Sequence, residues 1–176
     1  MNLILGISGS ISAYKSVDIM RLFQKNGHGV SVVLTANACR FIAPLTFETF
    51  APGRVFSDLF APGQDPLLHL SLARDHDLLL VAPASANVIA KMAAGIADDL
   101  LSTLAVAFAK KVVLAPAMNT AMYASAAVSE NLQRLARRGV AVIEPAEGSL
   151  ACAATGKGRL PAAEAIYEFC LGVLHV

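Results

Sequence analysis

The sequence of 176 residues has no tryptophan, few aromatics (6%) and few charges (15%). With 56% hydrophobic residues, that composition excludes a disordered segment, which has too little apolar surface to offset its chain entropy. It implies unusually complete burial, part of it between subunits. Excess charge of one sign is missing too: 14 Lys and Arg face 13 Asp and Glu. A protein whose main partner is a phosphate backbone carries a basic surplus, so no nucleic-acid partner is expected. The three cysteines, Cys39, Cys152 and Cys170, form no CxxC pair, which points to neither a disulfide framework nor a zinc site; no metal is expected, and a reducing cytoplasm fits best. No basic residue precedes the first apolar run, and the charge-free stretch 112–129 is interrupted by Pro116, Asn119 and Thr120. Neither a signal peptide nor a membrane span is expected.

The length suits one domain spanning residues 1–176, large enough to bury a core without staples. Short apolar runs recur at residues 3–7, 30–34, 78–82, 112–115 and 140–143, each continuous rather than alternating. That is how strands buried on both faces of a parallel sheet read. Between the first two runs, Ala13, Val17, Met20 and Phe23 recur at helical spacing up to Asn26-Gly27, a helix C-terminal signal. Helices are expected at 86–94, 98–109, 127–138 and 161–174. The alternation predicts a three-layer α/β fold, Rossmann-like in the broad sense that includes flavodoxin, with a central parallel sheet. The stretches 51–66 and 144–158, rich in Gly, Pro and Ala, read as loops.

Ligands of such folds bind beyond the carboxyl ends of the strands, so the residues after each strand matter most. The first run ends in Gly6-Ile7-Ser8-Gly9-Ser10-Ile11-Ser12, small and hydroxyl residues entering a helix, where backbone N–H groups favour a phosphate. The alternative is a plain tight turn with Ser10 or Ser12 as N-cap. Neither GxGxxG nor the P-loop pattern is present, and Thr35 stands where a dinucleotide fold wants an acid, so a mononucleotide phosphate fits better. Later come Ala82-Pro83-Ala84-Ser85-Ala86-Asn87 and Lys91, Gly95, Asp98, Asp99 and Ser102. Small residues there let a flat ring approach the backbone; Ser85 and Asn87 are either its hydrogen-bond partners or helix caps, and Asp98-Asp99 is alternatively a solvated helix start. Asn119 lies among apolar neighbours and needs a partner. His69 interrupts an apolar run, where a lone histidine is more often a satisfied core or capping group than a catalyst. Cys152 sits in a loop with Lys157 and Arg159 nearby, where a thiol can be reached and polarised. Cys39 and Cys170 fit core packing, and His28, His76 and His175 have no partner pattern.

In order, these segments resemble the flavin-dependent cysteine decarboxylases, most closely the branch acting on 4′-phosphopantothenoylcysteine in coenzyme A biosynthesis. The matching elements are Gly9-Ser10-Ile11, Thr35 with Phe41, His69, the run from Ala82 through Ser102, Pro116-Ala117-Met118-Asn119-Thr120-Ala121-Met122-Tyr123, Ala151-Cys152 and Gly156-Lys157-Gly158-Arg159. The resemblance implies FMN, with Gly9, Ser10 and Thr35 at its phosphate and Phe41, Ala84, Ser85, Asp99 and Ser102 around the rest of it. It makes His69 the catalytic base, Asn119 the holder of the substrate carboxylate and Cys152 the proton donor of a lid. Met122, Ala151, Lys157 and Arg159 complete the implied substrate contacts. It further implies a small-molecule substrate and a homo-oligomer, a trimer or a larger assembly of trimers such as a dodecamer. Tyr123 replaces the family's usual Trp, Ala153-Ala154 its Gly-Asp, and Leu160 its Met. Other readings are a peptidyl-cysteine decarboxylase, which stops at the enethiol, another FMN enzyme of this fold such as a prenyltransferase, and a non-catalytic flavoprotein subunit.

Overall fold

The structure is a computed structural model that describes residues 1–149 and 155–174. Its strands are β1 (Asn2–Ile7), β2 (Gly29–Leu34), β3 (Val55–Phe56), β4 (Leu78–Ala84), β5 (Lys111–Pro116), β6 (Ala141–Val142), β7 (Ala146–Ser149) and β8 (Thr155–Arg159). Its helices are α1 (Ser16–Lys25), α2 (Pro44–Glu48), α3 (Leu68–Asp75), α4 (Ala86–Ala94), α5 (Leu100–Ala107), α6 (Thr120–Tyr123), α7 (Ala126–Arg137) and α8 (Ala163–Leu174). Short 3-10 turns at Ile11–Lys15 and Ala38–Arg40 follow β1 and β2.

Six strands form one parallel sheet in the order β3-β2-β1-β4-β5-β6. Alternate residues face opposite sides. Leu3, Leu5, Ile7, Leu78, Leu80, Ala82, Val113 and Ala115 pack with Ile19, Met20 and Phe23 of α1 and Ile166 and Cys170 of α8. Ile4, Leu79, Val81 and Leu114 pack with α3, α4, α5 and Leu135 of α7. Helices therefore cover both faces, which is why these strands read as unbroken apolar runs. The strand order is that of the Rossmann fold, which shares its three layers and its ligand crevice with flavodoxin. The order reverses between β1 and β4, so a crevice opens beyond their carboxyl ends.

The expected helix at 98–109 is shorter because Asp99 caps it instead of entering it. The segment 144–158, expected to be a loop, supplies most of an antiparallel hairpin, β7 with β8, that lies outside the main sheet. Its glycines hide the pattern: Gly148, Gly156 and Gly158 all have positive φ, and no apolar alternation marks the pair. In 51–66, β3 contributes a two-residue edge to the sheet. Among the described residues no helix is long and apolar enough to cross a membrane, and no cluster of three or more acidic, His or Cys side chains could hold a metal ion.

Candidate functional site

Two adjoining clefts occupy the crevice and share Gly9, Ser85, Ala86 and Met122. The larger encloses about 650 Å³ among Gly9, Ser10, Ile11, Phe41, Asn119 and Arg159 and others. The smaller encloses about 310 Å³ and is walled by Ser8, Thr35, Asn37, Asn87, Lys91 and Asp99 in addition to the shared residues. Segments after β1, β2, β4 and β5 thus meet in one place, although they are far apart in sequence.

Local hydrogen bonding explains how each segment is held. Ser10 caps the turn Ile11–Lys15, accepting the Ser12 N–H at 3.4 Å, and its hydroxyl also donates to the Ala117 carbonyl at 3.2 Å. Thr35 Oγ1 accepts the Ala38 N–H at 3.2 Å and shapes the turn that carries Phe41. Ser85 caps α4 by accepting the Val88 N–H. Asp99 and Ser102 form a reciprocal capping box at the start of α5. The capping alternatives for Ser10, Ser85 and Asp99 therefore hold, and the same three residues also line the clefts.

Two residues expected at the cofactor line neither cleft. Ala84 faces the core between α4 and α5, fully buried, and Ser102 is buried with its hydroxyl bonded at the Asp98-Asp99 start of α5. Their neighbours Ser85 and Asp99 form the wall instead. Lys157 also stands off the clefts, 3.4 Å from Glu144, whereas Arg159 lines the larger one. Ala151 and Cys152 lie outside the described residues.

Asn119 caps α6, its Oδ1 accepting the Ala121 N–H at 2.8 Å. That bond turns Oδ1 toward the helix. Gly158 at the neighbouring hairpin accepts the Met118 N–H at 3.0 Å, and a Cβ there would overlap the Met118 carbonyl oxygen. The hairpin is thereby latched onto the loop that presents Asn119.

His69 occupies the first turn of α3 and lines neither cleft. Its Nδ1 is buried and has no hydrogen-bond partner among the described residues. Its sequence neighbours Leu67 and Leu70 are exposed, and so is Phe60, by 84%. Asp65 braces the helix start, accepting the Leu67 N–H and the Ser71 hydroxyl, and these bonds hold its carboxyl below the usual range.

The clefts differ in charge. Among the described residues, the larger is lined by Lys15 and Arg159 and by no carboxylate. In the smaller, Lys91 lies 2.7 Å from Asp99 and 2.6 Å from Asp98. Hydrogen bonds to the two carboxylates, Asp98 first, raise the Lys91 pKa, and the Lys91 bond lowers that of Asp98. Lys15 and Asn37 were not apparent as cleft residues from the sequence; their only signal was their position within a few residues of the strand-end motifs.

This pair of clefts fits a flavin mononucleotide. Both volumes fall in the range of ordinary ligand sites, about 300–1,000 Å³. Exposed Ile11, Phe41 and Met122 offer apolar surface to a flat ring, and hydroxyl, amide and carboxylate groups line the smaller space. At Gly9 a Cβ would stand 2.6 Å from Asn37 Cβ, so only glycine lets the segments after β1 and β2 approach this closely beside the clefts.

A family model described as Flavoprotein matches residues 1–175. The coenzyme A biosynthesis bifunctional protein CoaBC of Bacillus subtilis (strain 168) is 44% identical over 169 residues, 95% of this chain and 41% of that protein. The chain thus spans about two fifths of the length of the curated relatives it matches. Among solved structures, a Cys-to-Ser variant of a PPC decarboxylase complexed with pantothenoylaminoethenethiol superposes with a TM-score of 0.87 at 29% identity, covering 99% of this chain and 98% of that one. The FMN binding protein AtHal3 superposes at 0.81 with 30% identity, covering 97% and 94%.

Proposed function

The chain belongs to the Flavoprotein family, and from that membership we propose that it is an FMN-dependent carboxy-lyase that converts 4′-phosphopantothenoylcysteine to 4′-phosphopantetheine. The observation that carries this reading is the convergence of Gly9, Ser10, Thr35, Ser85 and Asn119 on one two-part crevice at the point where the strand order reverses. The likeness to a PPC decarboxylase over nearly the whole of both chains supports it.

The chemistry accounts for the parts. Losing carbon dioxide directly from a cysteine carboxylate leaves an unstabilised carbanion, whereas a thioaldehyde places a C=S group where it accepts the electron pair. FMN, when bound, supplies the two-electron oxidation of the thiol and returns the hydride after decarboxylation. The residues of the chain position and protonate. Asn119 holds the substrate carboxylate, and Lys15 and Arg159 draw an anionic substrate into the larger cleft. His69 takes the thiol proton, and Cys152 returns a proton to the enethiolate.

Because His69 lines neither cleft of its own subunit, we infer that a neighbouring copy completes each site. The exposed Leu67 and Leu70 on either side of it in sequence then become interface, in a trimer or an assembly of trimers. A cytoplasmic setting is in keeping with the reaction and the free thiols Cys39 and Cys170.

The deciding experiment measures carbon dioxide release from 4′-phosphopantothenoylcysteine by the purified yellow protein, with light scattering on the same sample. Release together with a trimeric mass is expected. A protein that holds FMN yet releases none overturns the reaction, and a fully active monomer overturns the shared site.

A further inference from the structure

Residues 82–85 carry the main chain from the sheet to the cleft, yet the sheet itself scarcely holds them. The parallel ladder between β1 and β4 ends at Gly6 and Val81, and the β4–β5 register is irregular between Val81 and Ala84. Pro83 has no N–H to offer either neighbour. Two buried serines replace the missing ladder. Ser16, fully buried in α1, donates its hydroxyl to the Ala82 carbonyl at 2.8 Å. Ser8, 1% exposed, donates its hydroxyl to the Pro83 carbonyl at 2.7 Å and accepts the Ser85 N–H at 2.8 Å. The main-chain N–H of Ser8 adds a bond to the same Pro83 carbonyl at 3.2 Å.

We propose that Ser8 is a positioning residue for the flavin: its hydroxyl bridges Pro83 and Ser85 and so sets where Ser85 and Ala86, the wall shared by both clefts, stand against the cofactor. The assignment rests on the FMN reading above. It distinguishes Ser8 from Ser16, although both are buried hydroxyls bonded to consecutive carbonyls of one strand. Ser16 anchors the strand from the helix side and lines neither cleft, whereas Ser8 lines the smaller cleft and is bonded to the residue that begins its wall. Removing either leaves a buried carbonyl without its side-chain donor, which destabilises the fold. Only the loss of Ser8 also releases the Ser85 N–H at the wall.

The test compares Ser8→Ala and Ser16→Ala in the full flavin-loaded chain. FMN release on dilution is followed by flavin fluorescence, the bound cofactor by its visible band, and the fold by thermal unfolding. Both variants are expected to unfold at lower temperature than the wild type. Flavin dissociation should rise about tenfold or more, with a displaced visible band, for Ser8→Ala alone. If Ser8→Ala does not fold, Ser8→Cys keeps the shape and weakens the hydrogen bonds, with the same expectation. Wild-type flavin affinity in either Ser8 variant, or equal loss of flavin in Ser16→Ala, overturns the proposal and leaves Ser8 a scaffold residue. A wild-type chain that takes up no FMN overturns the cofactor reading itself, and this inference with it.

Discussion

Lys91 on α4 reaches across to Asp99, the cap of α5, with Nζ 2.7 Å from Oδ2, while the other carboxylate oxygen accepts the Ser102 N–H at 2.8 Å. One carboxylate therefore ends a charge pair, starts a helix and lines the smaller cleft. The two helices cannot shift independently without breaking one of these bonds. Asn caps helices as well as Asp does, so substitutions separate the roles. Asp99→Ala should lower unfolding free energy in urea by about 1–2 kcal/mol. Asp99→Asn should lose less than half of that, because only the pairing with Lys91 goes. Flavin retention should follow the loss of charge and fall in both variants.

His76 gives the fold an acid limb. It is buried, with Nδ1 2.9 Å from the Leu72 carbonyl and Nε2 2.9 Å from Ser31 Oγ, and burial lowers its pKa. An unfolded histidine titrates near about 6.5, so below that pH the unfolded chain binds a proton that the folded chain resists. The stability from this group is complete above that pH and is lost as pH falls toward the folded value. Unfolding free energies from urea melts should decline from pH 7 to pH 5 in the wild type. In His76→Gln the decline should be shallower, on a lower plateau.

Gly158→Ala tests the latch on the Asn119 loop. Gly158 has φ +143, and a Cβ would meet the Met118 carbonyl oxygen. The strain, about 1–3 kcal/mol, falls on a hairpin outside the main sheet, so thermal unfolding should move little. Carbon dioxide release should fall by about tenfold or more, since the loop carrying Asn119 shifts. Unchanged turnover would separate the hairpin from the site.

The roles proposed for Cys152 and Asn119 assign them to different halves of the reaction. Cys152→Ser replaces the thiol with a much weaker acid of similar shape. It should release about one carbon dioxide per site and then stall with an enethiol. Asn119→Asp should release none, because a second carboxylate repels that of the substrate. Anaerobic single-turnover assays with product analysis distinguish the two. A Cys152→Ser variant that makes saturated thiol at the wild-type rate would remove the thiol from the mechanism.

The central strands were legible because burial on both faces leaves long apolar runs, and the strand-end residues Gly9, Ser10, Thr35, Ser85 and Asn119 were legible because this fold binds ligands there. Ala84 and Ser102 line neither cleft for one reason: each adjoins or caps with a residue of the wall, but pleat or helix turn directs its side chain to the core. Lys15 escaped notice because nothing in sequence tells that a five-residue 3-10 turn brings it back to the cleft. The hairpin was illegible for a different reason: its strands are defined by pairing and glycine conformations, not by burial. The position of His69 away from the clefts is a property of the folded subunit that no local pattern encodes.

The β7–β8 hairpin contributes no strand to the six-stranded sheet, and the connection between its strands contains Cys152. A change in β7 or β8 touches no strand of that sheet, whereas β1 and β4 serve the core and the crevice together. Under the role proposed for Cys152, selection can revise the last protonation, or abolish it, without altering the six-stranded sheet that carries the crevice. Divergence between makers of saturated thiols and makers of enethiols then requires changes in one short stretch of chain and no new fold.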